Sequence, residues 1–171
     1  LVALTLGGLA LILGSGYLIP LLFSSKFEEA ALLLPILCLS LPGQAYGWNY
    51  NTYMVHKGDF GTTFILDSAW CLLFVGGTAI CVRRGLPISS VAWPYAASYC
   101  VFGFYYALVG GRKYGTEFLS AEIIRLTGVC LALLCLGYGI SRLGSIPLSL
   151  GFFAICAASV AVFAGKSSLR A

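Results

Sequence analysis

The sequence predicts an all-α membrane protein, with about six transmembrane helices in an up-down bundle. Three observations predict it. The 171 residues are 60% hydrophobic and only 9% charged, against roughly 25% charged in a soluble domain. Mean hydropathy is +0.95, too apolar for a chain that must cover itself with a polar surface. The apolar residues come in continuous runs, each near the ~20 residues that cross a ~30 Å hydrocarbon core. A membrane barrel would instead alternate apolar and polar positions over ten-residue segments.

The spans are expected near 1–23, 30–55, 60–82, 88–110, 118–139 and 146–165. Ser24 to Glu29, His56 to Asp59, Arg83 to Pro87, Gly111 to Glu117 and Ile140 to Ser145 separate them, holding most of the charges and many turn formers. Connections this short make neighbouring helices antiparallel. No linker, repeat or soluble segment interrupts residues 1–171, which read as a single transmembrane domain. The first span opens Leu1-Val2-Ala3-Leu4-Thr5, with no Met and no basic n-region. It is not expected to be a secretory signal, and the simplest expectation is a piece of a longer protein.

The second span departs from the apolar pattern. Pro35 and Pro42 lie inside it, and each removes a backbone donor and crowds the preceding turn, so a kink is expected. A polar and aromatic stretch follows, Gly43-Gln44-Ala45-Tyr46-Gly47-Trp48-Asn49-Tyr50-Asn51-Thr52-Tyr53. Gln44, Trp48 and Asn51 stand four and three apart and share a helix face. Amides facing lipid would go unsatisfied, so this face is expected to look into the bundle or a wet cavity. Interhelical hydrogen bonding alone is the plainer alternative.

In the third span, Asp67 stands in Phe64-Ile65-Leu66-Asp67-Ser68-Ala69-Trp70. A carboxylate at the bilayer centre costs roughly 2.5–3.5 kcal/mol on insertion scales, so it must be paired, protonated or hydrated. With Glu122 of the fifth span it is a candidate for a coupling proton or Na+, with a capping or ion-pair role near the interface as the alternative. In the fifth span Glu122 and Arg125 are three apart and close enough to neutralise each other. Alternatively, Arg125 faces a cavity and attracts phosphate, tuned by Glu122.

In the last two spans, small residues recur four apart at Gly128 and Ala132, Ala154 and Ala158, Ala157 and Ala161, and Ala161 and Gly165. They predict close helix packing there. Trp93, Tyr95, Tyr99, Tyr105, Tyr106, Tyr114 and Tyr138 read in part as interfacial belts.

Other classes find little support. The net charge of +4 sits at span ends, where basic groups anchor helices and set topology. Four basic residues on one side against five on the other leave the orientation nearly even, and no basic stripe points to nucleic acid. The seven cysteines lie in or beside apolar spans with no CxxC spacing, which suits packing better than zinc or disulfides. His56 stands alone, and no metal or cofactor is expected. No nucleophile triad, HExxH or phosphate loop is present, so enzyme chemistry has no visible constellation.

The junction Leu21-Leu22-Phe23-Ser24-Ser25-Lys26-Phe27-Glu28-Glu29-Ala30-Ala31-Leu32-Leu33-Leu34-Pro35-Ile36-Leu37 resembles a stretch in polysaccharide flippases of the multidrug/oligosaccharidyl-lipid/polysaccharide exporter superfamily. There a helix ends in a short Leu-Phe-Gly/Ser turn, followed by an aromatic, two acidic residues and the next helix. Gln44 to Gly58 is similar to the same family's polar helix and basic turn. The resemblance implies the C-terminal lobe and accessory helices of a transporter with about fourteen helices. Its partners would be membrane lipid and the N-terminal helices of the same protein. The implied activity is flipping or export of lipid-linked oligosaccharide across a bacterial inner membrane by alternating access. Gln44, Trp48, Asn51 and Arg125 would then line the substrate cavity. A multidrug or metabolite antiporter of the same superfamily and a membrane-embedded glycolipid-processing enzyme are the rivals.

Overall fold

The computed structural model describes residues 1–23, 27–115 and 121–168, without the side chains of 28–29, 121–124 and 159–168. The described residues form seven α-helices and no strand. They are α1 (Val2–Leu22), α2 (Glu28–Cys38), α3 (Leu41–His56), α4 (Phe60–Arg83), α5 (Ala92–Tyr114), α6 (Ala121–Arg142) and α7 (Ile146–Ser168). A 3-10 turn at Ile88–Val91 leads into α5.

By length and hydropathy, α1 and α4 qualify as membrane-crossing helices, and α2 with α3 qualifies as a third if the pair is one span. The expectation of six spans is therefore met in part. The helical segments fall near the expected ranges, but among the described residues only these two or three are both long and apolar enough for a crossing helix. Polar and aromatic residues dilute the Tyr- and Gly-rich α5, while the part of α7 whose side chains are described, Ile146–Ala158, is apolar but short of a crossing length.

The expected kink is a full break. Segments Ala30–Cys38 and Leu41–His56 meet at 55°. Pro42, near the start of α3, has no N–H to offer the Cys38 carbonyl. The chain tightens instead: Leu39 N–H bonds Ile36 O at 3.1 Å and Ser40 N–H bonds Leu37 O at 3.1 Å, an i to i−3 pattern typical of helix ends. Pro35 stays inside α2. The other helices end regularly. Gly58, Gly85, Gly115 and Gly144 follow α3, α4, α5 and α6 with φ of 74°, 63°, 61° and 66°, a left-handed ending that glycine adopts without steric cost.

Around α5 the helix directions follow from the contacts. Gly77 near the end of α4 meets Pro94 at the start of α5, while Lys113 at the end of α5 meets Asp59 before α4. Those two helices run antiparallel. Tyr99 with Gly43, Phe102 with Gly47 and Gly110 with Tyr50 show α3 and α5 running parallel. The broken α2–α3 unit is central. One apolar core joins α1, α2, α6 and α7 through Leu9, Ile12, Cys38, Leu134 and Cys156. A second joins α3 and α5 through Tyr50, Met54, Phe102 and Tyr106, with Trp70 of α4 against it. Large apolar side chains on α4, such as Phe64 and Leu72, are over 70% exposed, as befits a lipid-facing surface.

Two packing expectations need correction. Gly128, Ala132, Ala154 and Ala158 are exposed, and a Cβ on Gly128 would meet nothing within 4 Å. Among the described residues, close approach lies instead between α3 and α5, where a Cβ on Gly103 would stand 2.6 Å from Gly43 O. The pairs Ala157 with Ala161 and Ala161 with Gly165 reach side chains outside the described residues. The belt reading also fails for part of its set: Tyr106 is fully buried and Tyr95 and Tyr99 are half-buried, stacked edge-on at 4.8 Å from each other.

Candidate polar site between α3, α4 and α5

The polar residues of α3 divide according to its seam with α5. Gly43, Gly47, Tyr50 and Met54 are buried and repeat at four, three and four, so they form the buried stripe. Gln44, Trp48 and Asn51 each follow one residue later, rotated by ~100° from that stripe. Gln44 and Asn51 reach back to neighbouring helices from this flank. Trp48, between them, is 64% exposed.

Gln44 Nε2 donates to Ser40 Oγ at 2.6 Å and to Tyr95 Oη at 3.4 Å. Ser40 Oγ in turn donates to Leu37 O at 2.6 Å. The amide thus ties Ser40 at the α2–α3 break to α5, while Ser40 itself covers the Leu37 carbonyl. Asn49 and Thr52 are exposed and bond carbonyls of their own helix, Ala45 O and Trp48 O, the usual local solution for such side chains.

Asn51 points to the chemistry. Its Nδ2 lies 3.4 and 3.5 Å from the two oxygens of Asp67 on α4. Tyr106 on α5, fully buried, donates its Oη hydrogen to Asp67 Oδ1 at 2.9 Å. Thr63 O is 3.5 Å from the same hydroxyl, but one hydrogen serves one short bond, and the carboxylate takes it. Asp67 is half-buried, seven positions along α4 from Phe60 and so ~10 Å from the helix start. A hydrogen bond to a charged group contributes about 1.5–3 kcal/mol. The Tyr106 bond is therefore comparable with the insertion cost of the carboxylate, while the longer Asn51 contacts add less.

Two further groups lie beside Asp67. Thr63, Asp67 and Trp70 stand four and three apart on one face of α4. Thr63 Oγ1 and Trp70 Nε1 are buried with no hydrogen-bond partner. An indole N–H only donates, whereas a hydroxyl donates or accepts. The cluster therefore pairs a carboxyl acceptor with polar capacity still unused, beside the aromatic wall of Trp70, Tyr99 and Phe102. Tyr106, Thr63 and Trp70 escape the sequence reading. The spacing of Thr63 and Trp70 about Asp67 was a usable signal, whereas nothing in the sequence separates Tyr106 from its exposed neighbour Tyr105.

The remaining candidates lie elsewhere. Arg125 is exposed on α6, two positions before Thr127, whose hydroxyl hydrogen-bonds Tyr46 of α3. Two positions turn a helix by ~200°, so Arg125 faces away from that contact. Glu122 has its side chain outside the described residues. Trp48 and Arg125 are thus not brought to Asp67, and only Asn51 of the expected cavity face joins it.

At the same end of the bundle, Asp59 accepts from Lys113 Nζ at 2.6 Å, Tyr114 Oη at 2.5 Å and Thr62 Oγ1 at 2.9 Å. The Lys113 hydrogen bond, then that of Tyr114, holds its carboxyl well below the usual carboxylate range. The seven cysteines are free thiols, and among the described residues no group of three His, Cys, Asp or Glu is placed to hold a metal ion. No protein-family profile, curated protein or solved structure matches the chain.

Proposed function

We propose that this chain belongs to a multi-pass inner-membrane transporter that flips or exports lipid-linked oligosaccharide for cell-surface polysaccharide, working by alternating access. The observation that carries the transport reading is Asp67, a carboxylate well inside a membrane-crossing helix, held by Tyr106 and Asn51 from two other helices. An intramembrane ionisable group with partners on separate helices marks an ion or substrate path by default. Binding of H+ or Na+ at Asp67 would weaken its hold on Tyr106 and Asn51, and so change how α3, α4 and α5 pack. Coupling of this kind needs an element with two arrangements that the ion biases, and the broken α2–α3 unit is placed to supply it. The saccharide substrate rests on the resemblance of residues 21–58 to polysaccharide flippases. In that reading all six segments cross the bilayer, with the bent α2–α3 pair as one span.

A second reading, a cation-coupled antiporter of the same superfamily, is favoured by one observation. The aromatic wall of Trp70, Tyr99 and Phe102 beside Asp67 suits a desolvated organic cation.

Deletion of the full gene in a strain without a redundant flippase tests the choice. Loss of surface glycan, restored by the wild-type gene, supports the first reading. Unchanged glycan with new sensitivity to cationic compounds supports the second. Arg125 tests the phosphate role: transport should fall more than protein abundance in Arg125→Ala, whereas equal loss of both marks a folding role.

A further inference from the structure

A crevice of about 280 Å³ opens between α1, α2 and α6, far from Asp67, on the side where α1 and α6 end and α2 and α7 begin. Its wall is apolar over Ile12, Leu13, Leu32 and Pro35 and cationic at Arg142. Arg142 closes α6, with its guanidinium 6.0 Å from the ring centre of Tyr138 one turn earlier. Tyr138 is braced in turn by Trp93 at 5.9 Å. The hydroxyls of Ser15 and Ser141 donate to their own helices, to Ile12 O and Tyr138 O, so Arg142, the tyrosines and Ser149 remain as donors. Just beyond the crevice, Leu21 and Leu22 are 80% and 67% exposed, continuing an apolar track along α1.

We propose that this crevice binds an anionic phospholipid of the surrounding leaflet, with its phosphate on Arg142 and the start of one acyl chain against α1 and α2. The chemistry on each side selects this occupant. A guanidinium at the end of a membrane helix lies at headgroup depth, and its planar fork matches phosphate. The floor beneath it is hydrocarbon. The volume is near the ~300 Å³ lower bound of ligand pockets, enough for a headgroup and the first carbons of a chain while the rest stays in the bilayer. Arg84, exposed beyond α4, gives a same-side cation that does not line this crevice. The proposal rests on α6 crossing the bilayer as in the six-crossing reading, but not on the ion or saccharide that reading assigns.

Native mass spectrometry of the full chain in detergent, with added phosphatidylglycerol or phosphatidylcholine, tests it. The expected result is one retained phosphatidylglycerol in preference to phosphatidylcholine. Retention should drop about fivefold in Arg142→Gln, recover in part in Arg142→Lys and hold in Arg84→Gln. Gly16 lines the crevice, and a Cβ there meets nothing within 4 Å. Gly16→Phe should therefore fill the space and block retention without removing a charge, and helical circular dichroism checks that each variant is folded. The proposal is overturned if phosphatidylcholine is held equally, if Arg142→Gln matches Arg84→Gln, or if folded Gly16→Phe retains the lipid. Displacement by equimolar inorganic phosphate would also overturn it, since that outcome marks a free-anion site.

Discussion

Asp59 and Asp67 show how depth changes what one residue type does. Asp59 lies at the helix boundary against a half-exposed lysine, where solvent screening leaves an ion pair a small share of stability. Its folded pKa is lowered by Lys113 and Tyr114. Its stabilisation is therefore present above the unfolded value of about 3.9 and is lost as pH falls through the folded one. Melting in detergent should fall as pH drops into the acid range, and Asp59→Asn should flatten that dependence. Asp67 has no lysine partner among the described residues, only hydrogen bonds. Tyr106→Phe removes the short one and leaves the ring in place, so a loss of about 1.5–3 kcal/mol is expected in reversible unfolding. Asn51→Leu should cost less, because its contacts are at 3.4–3.5 Å.

At the scale of elements, the α3–α5 seam fixes which side chains meet. A Cβ on Gly103 would stand 2.6 Å from Gly43 O and 2.8 Å from its Cα, and backbone cannot move aside as a flexible side chain can. Gly103→Ala should destabilise by about 1–3 kcal/mol. Gly128→Ala should be neutral or stabilising, since its Cβ meets open space and alanine is the better helix former. Thermal melts of the two variants side by side check the contrast. It also marks what the sequence could convey. Helix ranges were legible from apolar runs and breakers, and the break at Pro42 from its missing donor. Which small residues form a seam was not legible: Gly43 and Gly47 have the same four-residue spacing as Gly128 and Ala132, and only tertiary contact separates them. The Gln44, Trp48 and Asn51 face was a true helical face, but the glycine stripe one position earlier took the seam, leaving Trp48 outside.

For the whole molecule, the number of bilayer crossings depends on how the less apolar helices are covered. Two or three of the described helices are long and apolar enough, while α5 buries Phe102, Gly103, Tyr106 and Gly110 as an interior helix does. In the proposed six-crossing reading such a helix crosses under its neighbours' cover, its polar groups bonding within the bundle. In a six-crossing bundle the turns after α3 and α5 lie on one side and that after α4 on the other. Single cysteines at Lys57, Arg84 and Arg112 in a cysteine-free background should therefore label from one side for Lys57 and Arg112 and from the other for Arg84.

The central claim is that Asp67 is a working site of a transporter and not only a packing group. Its most direct test is surface-glycan output in cells whose only copy of the gene encodes Asp67→Asn, normalised to the amount of protein in the membrane. Asparagine keeps the shape and can still hydrogen-bond Tyr106 and Asn51, but it cannot bind a proton or hold a cation's charge. The account expects glycan output to fall to that of the deletion strain while membrane abundance holds. Glycan output at the wild-type level with the protein equally abundant would contradict it.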